Sequence, residues 1–413
     1  MRLVILTQYY PPETGAPQAR LSDLASRLRR RGHEVHVLTA MPNYPTGRVF
    51  DGWRGRLFSR EVIDGNPVTR VPLFTTPSKR VALRLLNFGS FAVSSAVLGL
   101  VALDKADVLL WECPPLFLSP TAWLLARRLG AALVTNVSDL WVQSAIDLGA
   151  VSNKKVIAAL EKWEELTYRA SSLVTCQSEG ILAGVQERCP SARTLLYPNG
   201  VDLSRFRKVA RNLAVRAEFG IPEGAFVVGY AGNFGVAQAM HQVVEAARLL
   251  QGRSDCFFLL LGSGPCRPEV QRMAQGLRNV RFHDPVPSHR IPEILANFDV
   301  GVVPLARAPV LRGARPSKMF ELFAAEVPFV FCGEGEGASV AQASGGALVV
   351  PPEAPSGLAS AILELLDAGP ERRQAMGRQA REYAERNFDR AVIAQRVEDA
   401  LMGLVEERCG RRY

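Results

Sequence analysis

Lys318 and Glu321 stand one helical turn apart in the run RPSKMFELFAAEVPFV, residues 315–330. A polar Pro-Ser-Lys corner leads there into an apolar helical period, which stops at Pro328 before the β-like PFVF. The amino end of a helix carries free N–H groups and a partial positive charge, so it suits a phosphate. Ser317 and Lys318 open that first turn, and Arg315 just ahead of it adds a planar fork of donors. Glu321, one turn deeper, has no obvious partner in sequence. A carboxylate in such a position commonly accepts hydrogen bonds from ribose hydroxyls. Phosphate donors and a ribose acceptor on one helix describe a nucleotide site. The competing reading is an amphipathic helix with Pro at N1 and a surface Glu.

Further candidates follow strand-like runs. Gly15-Ala16-Pro17 comes after RLVILT and opens a helix. A glycine there lets backbone approach a phosphate, and Pro17 suits position N1. Arg20 lies one turn in. Asp139 follows ALVTNV, where an Asp is also a favoured helix N-cap. Gly232-Asn233-Phe234-Gly235 and Gly262-Ser263-Gly264-Pro265 each follow a strand-like run, which supports Gly232, Asn233, Gly262 and Gly264 as ligand-binding backbone. Asn199-Gly200 reads as a turn, and Glu13 as a loop carboxylate.

These residues need a scaffold that gathers strand ends. Short β-branched and Leu runs alternate with helical periods, the pattern of parallel α/β units. Strands are expected at 2–7, 34–39, 68–72, 107–111, 132–137, 173–176 and 194–196. An irregular charged stretch covers 198–216. Strands resume at 226–230, 256–261, 280–282, 299–303, 328–331 and 347–350, and a helical tail covers 370–407. At 413 residues two domains are expected. The fold class is α/β, two Rossmann-like doubly wound domains facing a central cleft, with ligands beyond the carboxyl ends of the strands. The divisions are 1–205 and 206–388, with a last helix, about 389–413, packing back onto the first domain.

Composition narrows the partners. Hydrophobic content of 48% and charged content of 22% are those of a soluble globular chain. A net charge of +9 suits nucleic acid, anionic lipid or a phosphorylated small molecule. No interleaving of aromatic and basic residues marks a nucleic-acid module, so nucleic acid is not an expected partner. The cysteines, odd in number and without metal spacing, read as small buried residues in a reducing compartment. The five histidines show no metal spacing either. RLVILT at the outset, with no signal peptide ahead of it, gives a cytoplasmic expectation.

Six segments in order carry a family resemblance: YYPPETGAPQAR, VSDLW, LYPNGVD, VVGYAGNFGVAQ, FLLLGSGP and PSKMFELFAAEVPFV. Together the chain resembles glycosyltransferase family 4, the retaining GT-B group that uses nucleotide-sugar donors. It is most similar to the branch that adds an amino sugar or related residue during assembly of lipid-linked colanic acid, O-antigen and capsule repeats. The resemblance implies an acceptor-binding first domain and a donor-binding second. Glu321 matches the second of the family's two signature glutamates, which holds the ribose; the first falls on Gly313 and is absent. The family's basic pair after the first strand of the donor domain is also missing from 233–238, leaving Lys318 and Arg315 as replacements. Asp139 stands where many members have a His, with the implied role of orienting a sugar hydroxyl or receiving the acceptor proton. Glu13 is a candidate for the acceptor.

The implied reaction transfers a sugar from a nucleoside diphosphate, UDP in the first instance, to a lipid-linked saccharide for cell-surface polysaccharide. Asp139, Lys318 and Glu321 are the catalytic candidates. Gly15, Ala16, Arg20, Gly232, Asn233, Gly262, Gly264, Arg315 and Ser317 join Lys318 and Glu321 around the donor. No cofactor and no metal are expected. The alternatives are a UDP-N-acetylglucosamine epimerase of GT-B type, or a degenerate nucleotide- or lipid-binding scaffold. Residues 85–103 carry no charge and are long enough to span a bilayer. One crossing would put the strands at 68–72 and 107–111 on opposite sides, so a core helix or a helix dipping into one leaflet is expected. Lys79, Arg80 and Arg84 beside it favour peripheral contact, through about 79–103, with the inner leaflet of the cell membrane.

Overall fold

The structure, a computed structural model, describes residues 1–78, 80–147, 149 and 151–410. Two compact units emerge. One comprises Met1–Asn199 with the chain from Ala391 onward, and the other Gly200–Arg390.

The amino-terminal unit is built on strands β1 (Arg2–Leu6), β2 (Glu34–Ala40), β3 (Ser59–Ile63), β4 (Asn66–Val71), β5 (Val108–Cys113), β6 (Ala132–Val137), β7 (Leu173–Cys176) and β8 (Thr194–Leu196). Their order in the sheet is β3-β4-β2-β1-β5-β6-β7-β8. All pairings are parallel except β3 with β4. Buried on both faces, the central strands read as continuous apolar runs rather than as alternations. Leu3 and Ile5 of β1 pack with Leu21, Leu24 and Leu28 of α1 (Ala16–Arg30). Val4 and Leu6 face the other way, toward Phe91 of α2 (Val81–Ala102) and Leu125 of α3 (Ser119–Leu129). The final helix, Arg390–Gly410, completes the α1 layer with Val397, Leu401 and Leu404.

The carboxy-terminal unit carries β9 (Phe226–Ala231), β10 (Cys256–Leu261), β11 (Val280–His283), β12 (Val300–Pro304), β13 (Phe329–Cys332) and β14 (Ala347–Val350), all parallel, in the order β11-β10-β9-β12-β13-β14. Alternate residues again serve two layers. Leu259 and Phe329 meet Phe320 and Phe323 of helix Ser317–Ala324, whereas Phe258 and Val330 meet Val243 and Ile362 on the opposite face.

β3 is absent from the expectations above. It is a short edge strand, SREVI, that among the described residues pairs only with β4, and its three polar residues, two of them charged, hide the pattern of a strand. The helical tail consists of two helices, Gly369–Asn387 and Arg390–Gly410.

The apolar segment forms α2, which begins at Val81, and only 28% of its Ala82–Ala102 window is buried. Leu85, Leu86, Val93, Val97 and Val101 are exposed, the last at 86%. Both ends of α2 feed strands of one sheet, so the helix lies along the unit. Lys79 falls outside the described residues.

Candidate functional site

In the carboxy-terminal unit the candidate residues converge at the carboxyl ends of β9 and β10. The loop Gly232–Gly235 leaves β9, and the loop Gly262–Pro265 leaves β10. The two are laced together: Phe234 N donates to the Ser263 carbonyl at 2.8 Å, and Cys266 N to the Phe234 carbonyl at 2.9 Å. That closeness explains the glycines. A Cβ on Gly262 would stand 1.8 Å from the Gly232 carbonyl oxygen, and one on Gly264 2.5 Å from Asn233 Oδ1. Both glycines have positive φ, 137° and 149°, which L side chains rarely adopt.

Helix Ser317–Ala324 brings its amino end to the same place. Pro316 is the N-cap rather than N1, so Ser317 and Lys318 occupy the first two helical positions. The Lys318 chain passes over Gly232, where a methyl group would meet its Cε at 2.9 Å. Its ammonium stands 5.3 Å from the centre of the Tyr230 ring, and the Tyr230 hydroxyl in turn donates to the Asn233 carbonyl. Lys318 and Glu321 are both half-buried. Burial pulls the Lys318 ammonium below its ordinary pKa, with Glu321 partly offsetting it. Burial likewise pushes the Glu321 carboxyl up, against the opposing fields of Lys318, Arg390 and Arg205. Neither side chain makes a hydrogen bond or ion pair among the described residues. Arg315 differs: its Nε donates to Glu336 at 2.9 Å. Gly313, where the family's first glutamate would stand, has open space around it.

The amino-terminal unit places its candidates at the carboxyl ends of its own strands, and most are engaged. Gly15 is the N-cap of α1, so Ala16 is N1 and Pro17 N2, one position later than expected. A Cβ at Gly15 would meet Gln18 Oε1 at 2.4 Å. Arg20 is buried, 4% exposed, and its guanidinium donates to Glu112, Ser138 and Asn199, each at 2.9 Å. Glu13 is also buried and accepts from Tyr10, Asn43 and Tyr44 backbone N–H groups, at 3.1, 2.8 and 2.8 Å. These bonds tie the loop after β1 to the loop after β2. Asp139 is exposed just before α4 (Trp141–Asp147) and accepts from the Ser144 hydroxyl at 2.9 Å. The first helical carbonyl there belongs to Leu140, which accepts from Ser144 N. Among the described residues, no group of three or more His, Cys, Asp or Glu side chains could hold a metal ion.

Sequence reasoning missed Tyr230, Arg205 and Arg390 around the nucleotide candidates, and Glu112 beneath Asp139. Glu112 had a signal, as the only charged residue in the buried run VLLWEC. Arg205 and Arg390 had none, since each approaches Glu321 from a distant part of the sequence.

Comparison with known proteins fits this arrangement. A glycosyl transferase 4-like domain matches residues 15–200, and a glycosyl transferases group 1 domain matches residues 225–368. WcaI of Escherichia coli K12, named as a colanic acid biosynthesis glycosyl transferase, is 28% identical, over 97% of this chain and 99% of its own. Sucrose-phosphate synthase of Thermosynechococcus elongatus superposes with a TM-score of 0.73 at 16% identity, covering 98% of this chain and all of that one. HepE of Anabaena, solved in complex with UDP-glucose, gives 0.68 at 15% identity, with 98% and 100% covered. At these identities the structural likeness concerns the fold, two Rossmann-like α/β units of GT-B type.

Proposed function

We propose that this chain, which belongs to the glycosyltransferases by its 4-like domain followed by a group 1 domain, moves a sugar with retention from UDP onto a lipid-linked saccharide bound for a cell-surface polysaccharide. The observation that carries the reading is the Lys318–Glu321 pair. Two opposite charges, half-buried and without hydrogen-bonding partners among the described residues, stand on the first turns of a helix whose Lys318 reaches the Gly232 loop. Leaving buried charges without hydrogen bonds is costly, and a nucleoside diphosphate supplies the missing partners. Glu321 takes the ribose hydroxyls. Lys318, the N–H groups at Ser317 and the loop after β9 take the diphosphate, with Arg315 behind them. Gly262 and Gly264 line the nucleoside side. The WcaI name supports the polysaccharide assignment, and the HepE complex supports UDP.

In the reaction, the bond from the anomeric carbon to the diphosphate breaks as the acceptor hydroxyl oxygen bonds to that carbon on the same face. The acceptor proton passes to the departing phosphate oxygen. Lys318 and the helix amino end stabilise the negative charge that develops there, and no protein nucleophile or metal is required. Asp139, on the amino-terminal unit, orients the acceptor hydroxyl. Gly15 and Ala16 offer a helix amino end to the donor phosphates from that unit.

The acceptor's lipid gives a use to the exposed face of α2. Beside it, Trp123 and Leu124 of α3 are exposed at 50% and 39%, and the Arg127 guanidinium lies 5.3 Å above the Trp123 ring. Arg80 and Arg84 are exposed at the amino end of α2. An apolar strip with a basic border fits the cytoplasmic leaflet of an anionic membrane. Flotation with phosphatidylglycerol-containing liposomes is expected to recover the protein. Val93→Ser/Val97→Ser and Arg80→Ser/Arg84→Ser variants should each float less; equal recovery of all three overturns the membrane assignment.

Release of UDP from UDP-sugars, with and without a polyprenyl-diphosphate saccharide, tests the function. Acceptor-dependent release that is lost in Lys318→Ala supports it. UDP binding without turnover would instead favour a scaffold, the reading that Gly313 and the uncharged loop after β9 allow. Interconversion of free UDP-N-acetylglucosamine with its epimer would point to the epimerase.

A further inference from the structure

The carboxyl ends of β5 and β6, the first turn and a half of α1 and Asn199, where the first segment of the amino-terminal unit ends, meet in one buried polar knot. Glu112 is its centre. One carboxylate oxygen accepts from Arg20 at 2.9 Å and from the Ser138 hydroxyl, and the other accepts from the Asn136 amide. Asn136 in turn accepts from Thr175 at the end of β7 at 2.7 Å. Arg20 reaches on to Asn199, and its guanidinium lies 5.3 Å from the centre of the Tyr197 ring. Arg20 and Glu112 are 4% and 5% exposed.

Charge burial on this scale is rarely a source of stability, because desolvation offsets the attraction of the pair. What a buried, forked ion pair does supply is geometry. Arg20 bonds residues 92, 118 and 179 positions away in the chain, so one side chain sets the spacing of three segments. Ser138, bonded to both members of the pair, immediately precedes Asp139.

We propose that Arg20 and Glu112 are positioning residues that hold the Ser138-Asp139 turn, and with it the Asp139 carboxylate, in its working place. Arg20 is therefore an organiser of the acceptor side rather than a phosphate ligand. This inference rests on the glycosyltransferase reading of Asp139.

The test separates placement from stability and from donor binding. Native protein, Glu112→Gln and the apolar pair Arg20→Met/Glu112→Leu are compared by thermal melting, by hydrogen exchange of backbone amides 138–147, and by calorimetric titration with UDP. Turnover of UDP-sugar is then measured for each in native and Asp139→Asn backgrounds. The apolar pair is expected to keep its Tm and its UDP affinity while amides 138–147 exchange at least tenfold faster and kcat falls at least tenfold. In the Asp139→Asn background the same substitutions should cost less than twofold more. If a variant melts lower, amides elsewhere in the amino-terminal unit decide: the inference requires the faster exchange to be confined to 138–147. Unchanged exchange at 138–147, or losses that multiply with that of Asp139→Asn, overturns the inference. Failure of native protein to bind UDP or turn over any UDP-sugar counts against the glycosyltransfer reading, and the exchange result still decides the placement.

Discussion

The two units treat buried charge in opposite ways. In the amino-terminal unit Arg20 and Glu112 are nearly inaccessible, and their charged groups meet Ser138, Asn136, Asn199 and each other. In the carboxy-terminal unit Lys318 and Glu321 are only half-buried, yet burial shifts both toward their neutral forms and neither has a hydrogen-bonding partner among the described residues. Among the described residues the knot leaves only the Arg20 Nε without a partner, and a third party would have to break its other bonds before binding. An unsatisfied pair can be completed by a ligand that carries the complementary groups. The two look alike in sequence, a basic and an acidic residue near strand ends, and differ only in whether the fold has already used them.

The largest effect that would sharpen this contrast is on ligand binding. Hydrogen bonds to charged groups contribute about 1.5–3 kcal/mol. Glu321→Ala and Lys318→Ala should therefore each weaken UDP by roughly 10- to 150-fold in calorimetry. Arg20→Met/Glu112→Leu should leave UDP affinity within about twofold, because the charged groups it removes are bonded to one another and to Ser138, Asn136 and Asn199 rather than open to a nucleotide.

Backbone crowding comes next. Gly262→Ala places a methyl 1.8 Å from the Gly232 carbonyl at a φ unsuited to L residues. It should lower stability by about 1–3 kcal/mol or more, by analogy with overpacking, and weaken UDP at the same time. Denaturant melts and titration of the same variant check both.

The pH dependence of UDP affinity follows from the two shifts. Glu321 must be ionised to accept ribose hydroxyls, and its pKa is raised. Affinity should therefore fall, as pH drops, from a point above the ordinary Glu value of about 4.3. Lys318 must be protonated, and its pKa is lowered, so affinity should fall on the alkaline side before the ordinary Lys value of about 10.4. A plateau extending fully to both ordinary values would contradict the burial of this pair.

Stability gives the comparison its sign. Because the folded pKa of Glu321 lies above the unfolded one, the native state holds its proton longer, and this group's contribution to stability falls as pH rises through that interval. At pH 7 the ligand-free Glu321→Gln variant should melt at the native temperature or up to about 3 °C higher, while losing UDP. Glu112→Gln, which removes the acceptor charge facing the buried Arg20 guanidinium, should melt lower. The smallest effect belongs to Gly313→Glu. Its surroundings are open, so Tm should change by less than about 1 °C, as for surface substitutions generally.

Much of the scaffold was legible from local chemistry. Runs such as RLVIL, ALVTNV and CFFLLL announce strands buried on both faces, and the strand-end glycines marked the tight loops after β9 and β10. β3 was not legible, because SREVI is an edge strand whose polar residues mask the strand pattern. The Lys318–Glu321 pair could be read because the two residues are neighbours on one helical turn. Arg20 could not, because its partners arrive from three other segments. Glu13 could not either, because its partners are backbone N–H groups, which every residue but proline offers and no motif records. The exposure of α2 was equally hidden, since composition sets apolarity but only the packed sheet decides which side of a helix is left uncovered.

The most direct test of the account is calorimetric titration of the ligand-free protein with UDP, alongside Glu321→Gln and Arg20→Met/Glu112→Leu. The account predicts saturable binding to native protein and to the apolar pair with similar affinity, and at least tenfold weaker binding to Glu321→Gln. Undiminished binding to Glu321→Gln, or no binding to native protein, would contradict the claim that the unpartnered pair at Lys318 and Glu321 is the nucleotide site.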